Sequence, residues 1–351
     1  MALAAQRRIA PLALTMGEPA GIGLEITLAA WRDRLQRSVP PFVFYADPEA
    51  VRARARLIGL KVPIEVVDRA ERAAEVFVDR LPVRPVRLEA ETRPGEPDPA
   101  NAGAVIAAIE GAVAAVAKGE AAALVTNPIA KSVLQAGGFE HRGHTEFLEH
   151  LAERHQAGRR FHAVMMLVAD QLRVVPLTVH MPLADVPKAI TRGLILDTVR
   201  VTWEALRRDL GLPLPRIAVT GLNPHAGEAG TLGREEEEVI APAIEELRSE
   251  GLSITGPHSA DTLFHAAARA GYDAAVAMYH DQALIPFKTL AFETGVNVTL
   301  GLPFVRTSPD HGTAFDIAGE GRASPESLIA ALKLAEALAV SRAKGRRRDG
   351  R

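Results

Sequence analysis

Short apolar runs alternate with longer amphipathic stretches along nearly the whole chain. Pro11–Met16, Phe42–Ala46, Ala121–Thr126, Arg216–Thr220 and Asp273–Tyr279 read as buried strands, with Asn297–Leu302 a further short β run. Helical spacing covers Leu24–Arg37, Ala100–Lys118, Ile129–Ala136, Thr145–Gln156, Leu183–Arg192, Leu194–Leu210, Arg234–Glu250, Ser259–Ala270 and Ser324–Val340. Asp47-Pro48 and Ser324-Pro325 each predict a capped helix start with proline at the first position. Phe161–Val168 and Leu172–Val179 are separated only by Ala169-Asp170-Gln171, which predicts a hairpin and some antiparallel pairing. The alternation elsewhere predicts an α/β fold, a mostly parallel sheet with helices on both faces. Leu81–Pro99 is dense in proline and charge and reads as a long excursion or hairpin without an assigned element.

Composition narrows the class. A chain of 351 residues with 48% apolar content fills two domains or one large α/β unit. A net charge of −2 gives no global field for nucleic acid. The absence of cysteine excludes disulfides and thiolate metal sites and fits a cytoplasmic protein. No stretch approaches the roughly 20 apolar residues of a membrane span, so no membrane partner is expected. The basic patch near the N-terminus precedes too short an apolar run for a signal peptide. The basic tail reads as a solvated end, with residues 346–351 disordered.

Candidate chemistry centres on three histidines. Each closes a strand-like run: LRVVPLTVH ends at His180, IAVTGLNPH at His225 and AAVAMYH at His280. Ligands gather at the carboxyl ends of strands in α/β sheets. Three neutral imidazoles there would hold one divalent metal and leave positions open for water or substrate. An all-nitrogen set suits Zn²⁺, with Co²⁺, Mn²⁺, Fe²⁺ and, less naturally, Mg²⁺ as alternatives. Asp281 follows His280 as a possible orienter or extra ligand.

Other segments carry weaker signals. Gly17-Glu18-Pro19-Ala20-Gly21-Ile22-Gly23 is a strand–helix turn without the dinucleotide spacing, either a tight joint or a ligand-contacting loop. In Gly143-His144-Thr145-Glu146, Thr145 would cap a helix, leaving His144 beside free N–H groups suited to an anion. Lys288, Asn297 and Arg306 lie downstream of His280 and suit phosphate or carboxylate, though lone cations are usually just solvated. The loop Asp310–Gly319 is either an ordinary connector or a wrap around adenosine.

Together these segments resemble the 4-hydroxythreonine-4-phosphate dehydrogenase family of pyridoxal phosphate biosynthesis. The matching pieces are GEPAGIGLEI, TNPIAKSVLQAGG, GHTEFL, TVHMPL, GLNPHAGE, ADTLF, AMYHDQ and GVNVTLGLPFVRTSPDHGTAFDIAG, in order from about Met16 to Leu334. DHGTAFDIAG also looks like the adenosine-binding segment of isocitrate and isopropylmalate dehydrogenases, whose two-domain α/β/α fold the family shares. The resemblance implies a metal on His180, His225 and His280, and substrate contacts from His144, Thr145, Lys288, Asn297 and Arg306. It implies a homodimer with its active site at the subunit interface. NAD or NADP would contact His311, Gly312, Thr313 and Asp316. Asp261, Asp281 and Lys288 are the candidates for general base. The expected domains are 1–126 with 304–345 on the cofactor side and 127–303 for metal binding and dimerisation.

The implied reaction is oxidation of the C3 hydroxyl of 4-phosphooxy-L-threonine, followed by loss of CO₂ from the 3-oxo acid to give 3-amino-2-oxopropyl phosphate. Alternatives are a dehydrogenase of 4-phosphothreonate or 4-phosphoerythronate, a phosphate acyltransferase of similar architecture, and a non-catalytic binding protein. Neither of the last two needs a three-histidine metal site.

Overall fold

The computed structural model describes residues 9–141 and 143–348; the basic N-terminal patch, the tail beyond residue 348 and residue 142 lie outside the described residues. The chain divides into two compact units, residues 1–161 with 302–340 and residues 162–301 with 341–351. Five strands precede residue 162: β1 (Leu12–Thr15), β2 (Phe42–Ala46), β3 (Ile64–Val66), β4 (Leu81–Pro85) and β5 (Leu124–Thr126). The second unit holds β6 (Val164–Ala169), β7 (Leu172–Pro176), β8 (Arg216–Thr220), β9 (Ser253–His258), β10 (Ala274–Ala277) and β11 (Val296–Leu300). The chain then returns to the first unit as β12 (Arg306–Pro309).

In the first unit the strand order is β3-β4-β2-β1-β5-β12, every pair parallel. Every residue of β1, β2 and β5 is buried, as expected for parallel strands covered on both faces. β4 corrects the reading of Leu81–Pro99 as an excursion. Prolines at 82 and 85 argued against a strand, yet the donors that matter survive: the amides of Leu81 and Val86 reach the carbonyls of Pro63 and Ala46. Leu81 and Val83 bring the apolar contacts.

Helix Ala102–Ala117 packs across β1, β2 and β5, its alanines allowing close approach. By length and composition alone the 19-residue stretch Pro99–Ala117, mean hydropathy 1.7, would pass for a membrane span. Its packing on three buried strands is that of a core helix. The domain boundary also differs from the expected 126/127. Helix His144–His155 packs on helix Ala102–Ala117, Arg154 meets Glu110 at 3.0 Å, and a β-carbon at Gly137 would lie 2.3 Å from that of Ala102. These contacts place 127–161 in the first unit. The final helix runs from Glu326 to Arg348, so it enters the tail expected to be disordered.

The first glycine-rich loop is a tight joint. A β-carbon at Gly17 would lie 2.4 Å from the Pro128 carbonyl oxygen, at Gly21 2.8 Å from that of Thr313, and at Gly23 2.5 Å from that of Met16. A buried ion pair braces it: Arg54 meets Glu25 at 2.8 Å and donates to the carbonyls of Gly21 and Pro19. Glu25 in turn accepts from the amides of Gly319 and Gly321.

In the second unit the order is β11-β6-β7-β10-β8-β9. The β6–β7 hairpin and the β11–β6 pair are antiparallel, the rest parallel. Helix His280–Ala291, absent from the sequence reading, buries Ala283, Phe287 and Ala291 at four-residue spacing among Leu172, Val174, Ala275 and Ala277. That seam fixes the helix on β7 and β10 and sets His280 at its N-terminus. The expected helix Ser259–Ala270 is broken into Ala260–Leu263 and Ala266–Arg269.

Replacing Arg54 with Met leaves the buried Glu25 carboxyl without its partner. The expected cost is about 3–5 kcal/mol, read as a lowered urea midpoint.

Candidate active site

Three strands of the second unit run on into histidines. β7 continues through Thr178 to His180, β10 through Met278 to His280, and β8 through Gly221 to His225. Hydrogen bonds tie these ends after the sheet ladders stop. The amide and hydroxyl of Thr178 both donate to the Met278 carbonyl, at 3.3 and 2.8 Å. Gln282, in the first turn of helix His280–Ala291, accepts through Oε1 from the Met278 amide at 2.6 Å and the Thr220 hydroxyl at 2.8 Å. Its Nε2 donates to the Gly221 carbonyl at 2.9 Å. Sequence reasoning missed Gln282, whose only signal is its place two residues after His280.

The rings of His180 and His280 lie 5.8 Å apart between centroids, tilted by 43°. Both line a cavity of about 510 Å³ with Met181, Leu183, Tyr279 and Asp281. His280 Nδ1 is 2.7 Å from Asp281 Oδ1. A carboxylate accepting the Nδ1 proton leaves the Nε2 lone pair for a metal, the usual outer-shell arrangement of histidine ligands. Asp281 therefore serves His280 as an orienter. His225 is not among the residues lining this cavity; it sits in the turn Pro224–Gly227 with φ +52°. Among the described residues, no three His, Asp or Glu side chains of one chain are grouped to hold a metal ion. Two donors are thus in place, with chemistry that fits a divalent ion.

The remaining second-unit candidates are dispersed. Asp261 is exposed and accepts from the Ser259 hydroxyl at 2.5 Å. Lys288 lies on the helix that starts at His280, its Nζ 5.4 Å from the Phe292 ring centroid. Asn297 is half-buried in β11, opposite Leu167.

The first unit brings together a cluster of polar side chains. Arg306 opens β12 and is buried. Its Nη2 donates to the Thr126 hydroxyl at 2.7 Å and approaches His144 Nδ1 at 3.3 Å. Burial pulls the guanidinium down to about 10. Burial, and then the charge of Arg306, push His144 well below the ordinary imidazole range, so the ring is neutral. With Nδ1 accepting from Arg306, Nε2 carries the proton, and Nε2 is a buried nitrogen with no hydrogen-bond partner. A cation and an unspent N–H donor side by side suit an anion. The helix here begins at His144 with Gly143 in the cap position and no side-chain cap, so Thr145 lies inside the first turn and is not the cap expected from sequence.

Of the proposed cofactor residues, His311 is exposed with Nδ1 3.0 Å from the Gly312 carbonyl, and Asp316 is exposed in the turn Phe315–Ile317. The Thr313 carbonyl is taken by the Ile22 amide at 3.0 Å, while a β-carbon at Gly312 would meet only open space.

A family model described as pyridoxal phosphate biosynthetic protein PdxA matches residues 37–335. The chain belongs to the PdxA family. A relative named 4-hydroxythreonine-4-phosphate dehydrogenase from Xanthobacter autotrophicus is 55% identical over 342 residues, 97% of each chain. The crystal structure of a 4-hydroxythreonine-4-phosphate dehydrogenase from Klebsiella pneumoniae superposes with a TM-score of 0.83 at 36% identity, covering 94% of this chain and 99% of that one. A terephthalate 1,2-cis-dihydrodiol dehydrogenase from Burkholderia xenovorans gives 0.62 at 29% identity, covering 94% and 98%. This PdxA-family chain is therefore similar to dehydrogenases along almost its whole length.

A neutral, buried His144 makes stability depend on pH. Its folded pKa is below the unfolded one, so the unfolded chain binds the proton first as pH falls below about 6.5. Stability tied to this group is full above that pH and lost below it. His144→Gln is expected to unfold with a weaker acid dependence between about pH 6.5 and 5 than the unmodified protein, read by thermal melts.

Proposed function

We propose that this chain oxidises the C3 hydroxyl of 4-phosphooxy-L-threonine with NAD⁺ or NADP⁺. The reading is carried by the 55% identity, over 97% of both chains, to a protein named 4-hydroxythreonine-4-phosphate dehydrogenase. Hydride leaves C3 for the nicotinamide and the hydroxyl proton goes to a base, giving a 3-oxo acid. Its β-keto carboxylate then breaks the bond to CO₂, and protonation of the resulting enol gives 3-amino-2-oxopropyl phosphate.

Each candidate residue has a task in this scheme. His180, His225 and His280 would hold a divalent ion, Zn²⁺ by preference, which supplies Lewis acidity to the hydroxyl and to the ketone. Asp281 is committed to His280, at 2.7 Å, and keeps its Nε2 unprotonated. That leaves Asp261, exposed and accepting from the Ser259 hydroxyl, as our choice for the proton acceptor over Lys288. Arg306 and the Nε2–H of His144 bind an anionic group of the substrate, and Thr145, Lys288 and Asn297 contact the rest. His311, Gly312, Thr313 and Asp316 take the adenosine side of the cofactor.

The same reading makes the protein a homodimer. His225 stands apart from the His180–His280 cavity, so a complete ligand set draws on a second copy of the chain. Met181, Leu183, Ile285 and Phe292, all in the second unit, are large exposed apolar residues that a partner would cover. A cytoplasmic setting goes with this chemistry.

The test is nicotinamide reduction with 4-phosphooxy-L-threonine, before and after chelation and with Zn²⁺, Co²⁺, Mn²⁺ or Mg²⁺ restored. 4-Phosphothreonate and 4-phosphoerythronate serve as rival substrates. We expect chelation to abolish reduction, metal to restore it, and His225→Ala to lower metal-dependent turnover at least 100-fold. No reduction of cofactor with any metal would overturn the reading.

A further inference from the structure

The segment carrying His225 follows a left-handed path for six consecutive residues: His225 (φ +52°), Ala226 (+52°), Gly227 (+81°), Glu228 (+44°), Ala229 (+54°) and Gly230 (+83°). Glycine adopts such angles freely, but the other residues do so at a cost. Backbone of this kind persists only where its surroundings over-determine it.

The surrounding group is Glu236, whose side chain lies beneath the loop. It is 3% exposed although it is a carboxylate. Its Oε1 accepts from the amides of Leu222 at 2.7 Å and Asn223 at 2.8 Å. Its Oε2 accepts from the side-chain amide of Asn223 at 3.0 Å, which Glu235 also binds, at 2.7 Å. The same carboxylate occupies the space that side chains would need on either side of His225. A β-carbon at Gly221 would lie 2.9 Å from Oε1, and one at Gly227 2.6 Å from Oε2. Glu236 is presented by the wide turn Glu236–Ile240, a π-helical stretch of the sort that often marks a functional site.

We infer that Glu236 is a positioning residue for the reaction: it holds the left-handed loop so that His225 is aimed as a metal ligand. The inference rests on the assignment of His225 to the metal set. An acceptor-only group with two oxygens suits three N–H donors, whereas glutamine would turn one N–H₂ against them. Ordering the loop in advance removes from metal binding the cost of organising its ligand.

Equilibrium Zn²⁺ affinity, measured by competition with a chelator, tests this without turnover, together with the visible spectrum of the Co²⁺-loaded protein. Glu236→Ala is expected to weaken Zn²⁺ binding about 10–100-fold and to alter the Co²⁺ ligand-field bands, with Glu236→Gln intermediate. His225→Ala is the reference. If His225→Ala binds metal as the unmodified protein does, the metal assignment fails and the inference with it. If His225→Ala loses affinity while Glu236→Ala keeps both affinity and spectrum, the metal assignment stands and the inference is overturned. Should Glu236→Ala lose its far-ultraviolet circular dichroism, Glu236→Gln decides: unchanged affinity and spectrum refute the role, and a weakened site with retained fold supports it.

Discussion

Strand ends that leave a sheet lose the ladder that kept them in register. For three of them to stay beside one another, something beyond the sheet must hold them. In the second unit that work falls to Gln282 and Thr178, which bridge the ends of β7, β8 and β10 through Met278, Thr220 and Gly221. A primary amide is suited to this, since its oxygen takes two donors while its nitrogen gives one. Each such bond contributes only about 1 kcal/mol net, but leaving its partner unmet costs roughly 1–3 kcal/mol. The arrangement is therefore strongly specified even though it is weakly bonded. Phe287, deep in the core on the same helix, prevents Gln282 from drifting.

Buried charge serves opposite ends in the first unit. Arg54 and Glu25 are fully paired, and their remaining hydrogen-bonding positions are met by backbone carbonyls and amides of two loops. Such a pair fixes geometry and has little left to offer a ligand. Arg306 sits instead beside a neutral imidazole, which cannot neutralise it. The protein there keeps a cation in a poorly solvating place next to an idle N–H donor.

The sequence was most readable where a single local rule decided the outcome. Wholly apolar β2 was found to the residue, Asp47 caps its helix through the amides of Glu49 and Ala50, and the three-residue gap at Ala169–Gln171 gave the antiparallel hairpin. It failed where tertiary contacts overrode local rules. The prolines of β4 hid a strand paired on both sides, and the boundary at 126 ignored a helix pair that only packing reveals. The site divides similarly. His180 and His280 were read from their strand-end positions, His144 from its place at a helix start and Arg306 from charge in an apolar stretch; that the fold sets His144 beside Arg306 was not readable. Nor were Gln282 and Glu236. Polar residues on a helix look solvated until the fold shows which carbonyls and amides lie beneath them.

The first unit is interrupted by the second, and this affects how the protein is made. The second unit is inserted between β5 and β12, the neighbours at one end of the first unit's strand order. During synthesis the ribosome delivers the whole of residues 162–301 before the strand that β5 awaits. The three histidine-bearing strand ends can thus consolidate while the earlier unit still has an open margin. Arg306 is the first residue of that late strand, and the helix whose Ala331 carbonyl takes the hydroxyl of the next residue, Thr307, comes later still. Arg306 is consequently among the last of the candidate residues to reach its place, so a nascent chain stalled before it would carry the three histidine-bearing strand ends without that cation.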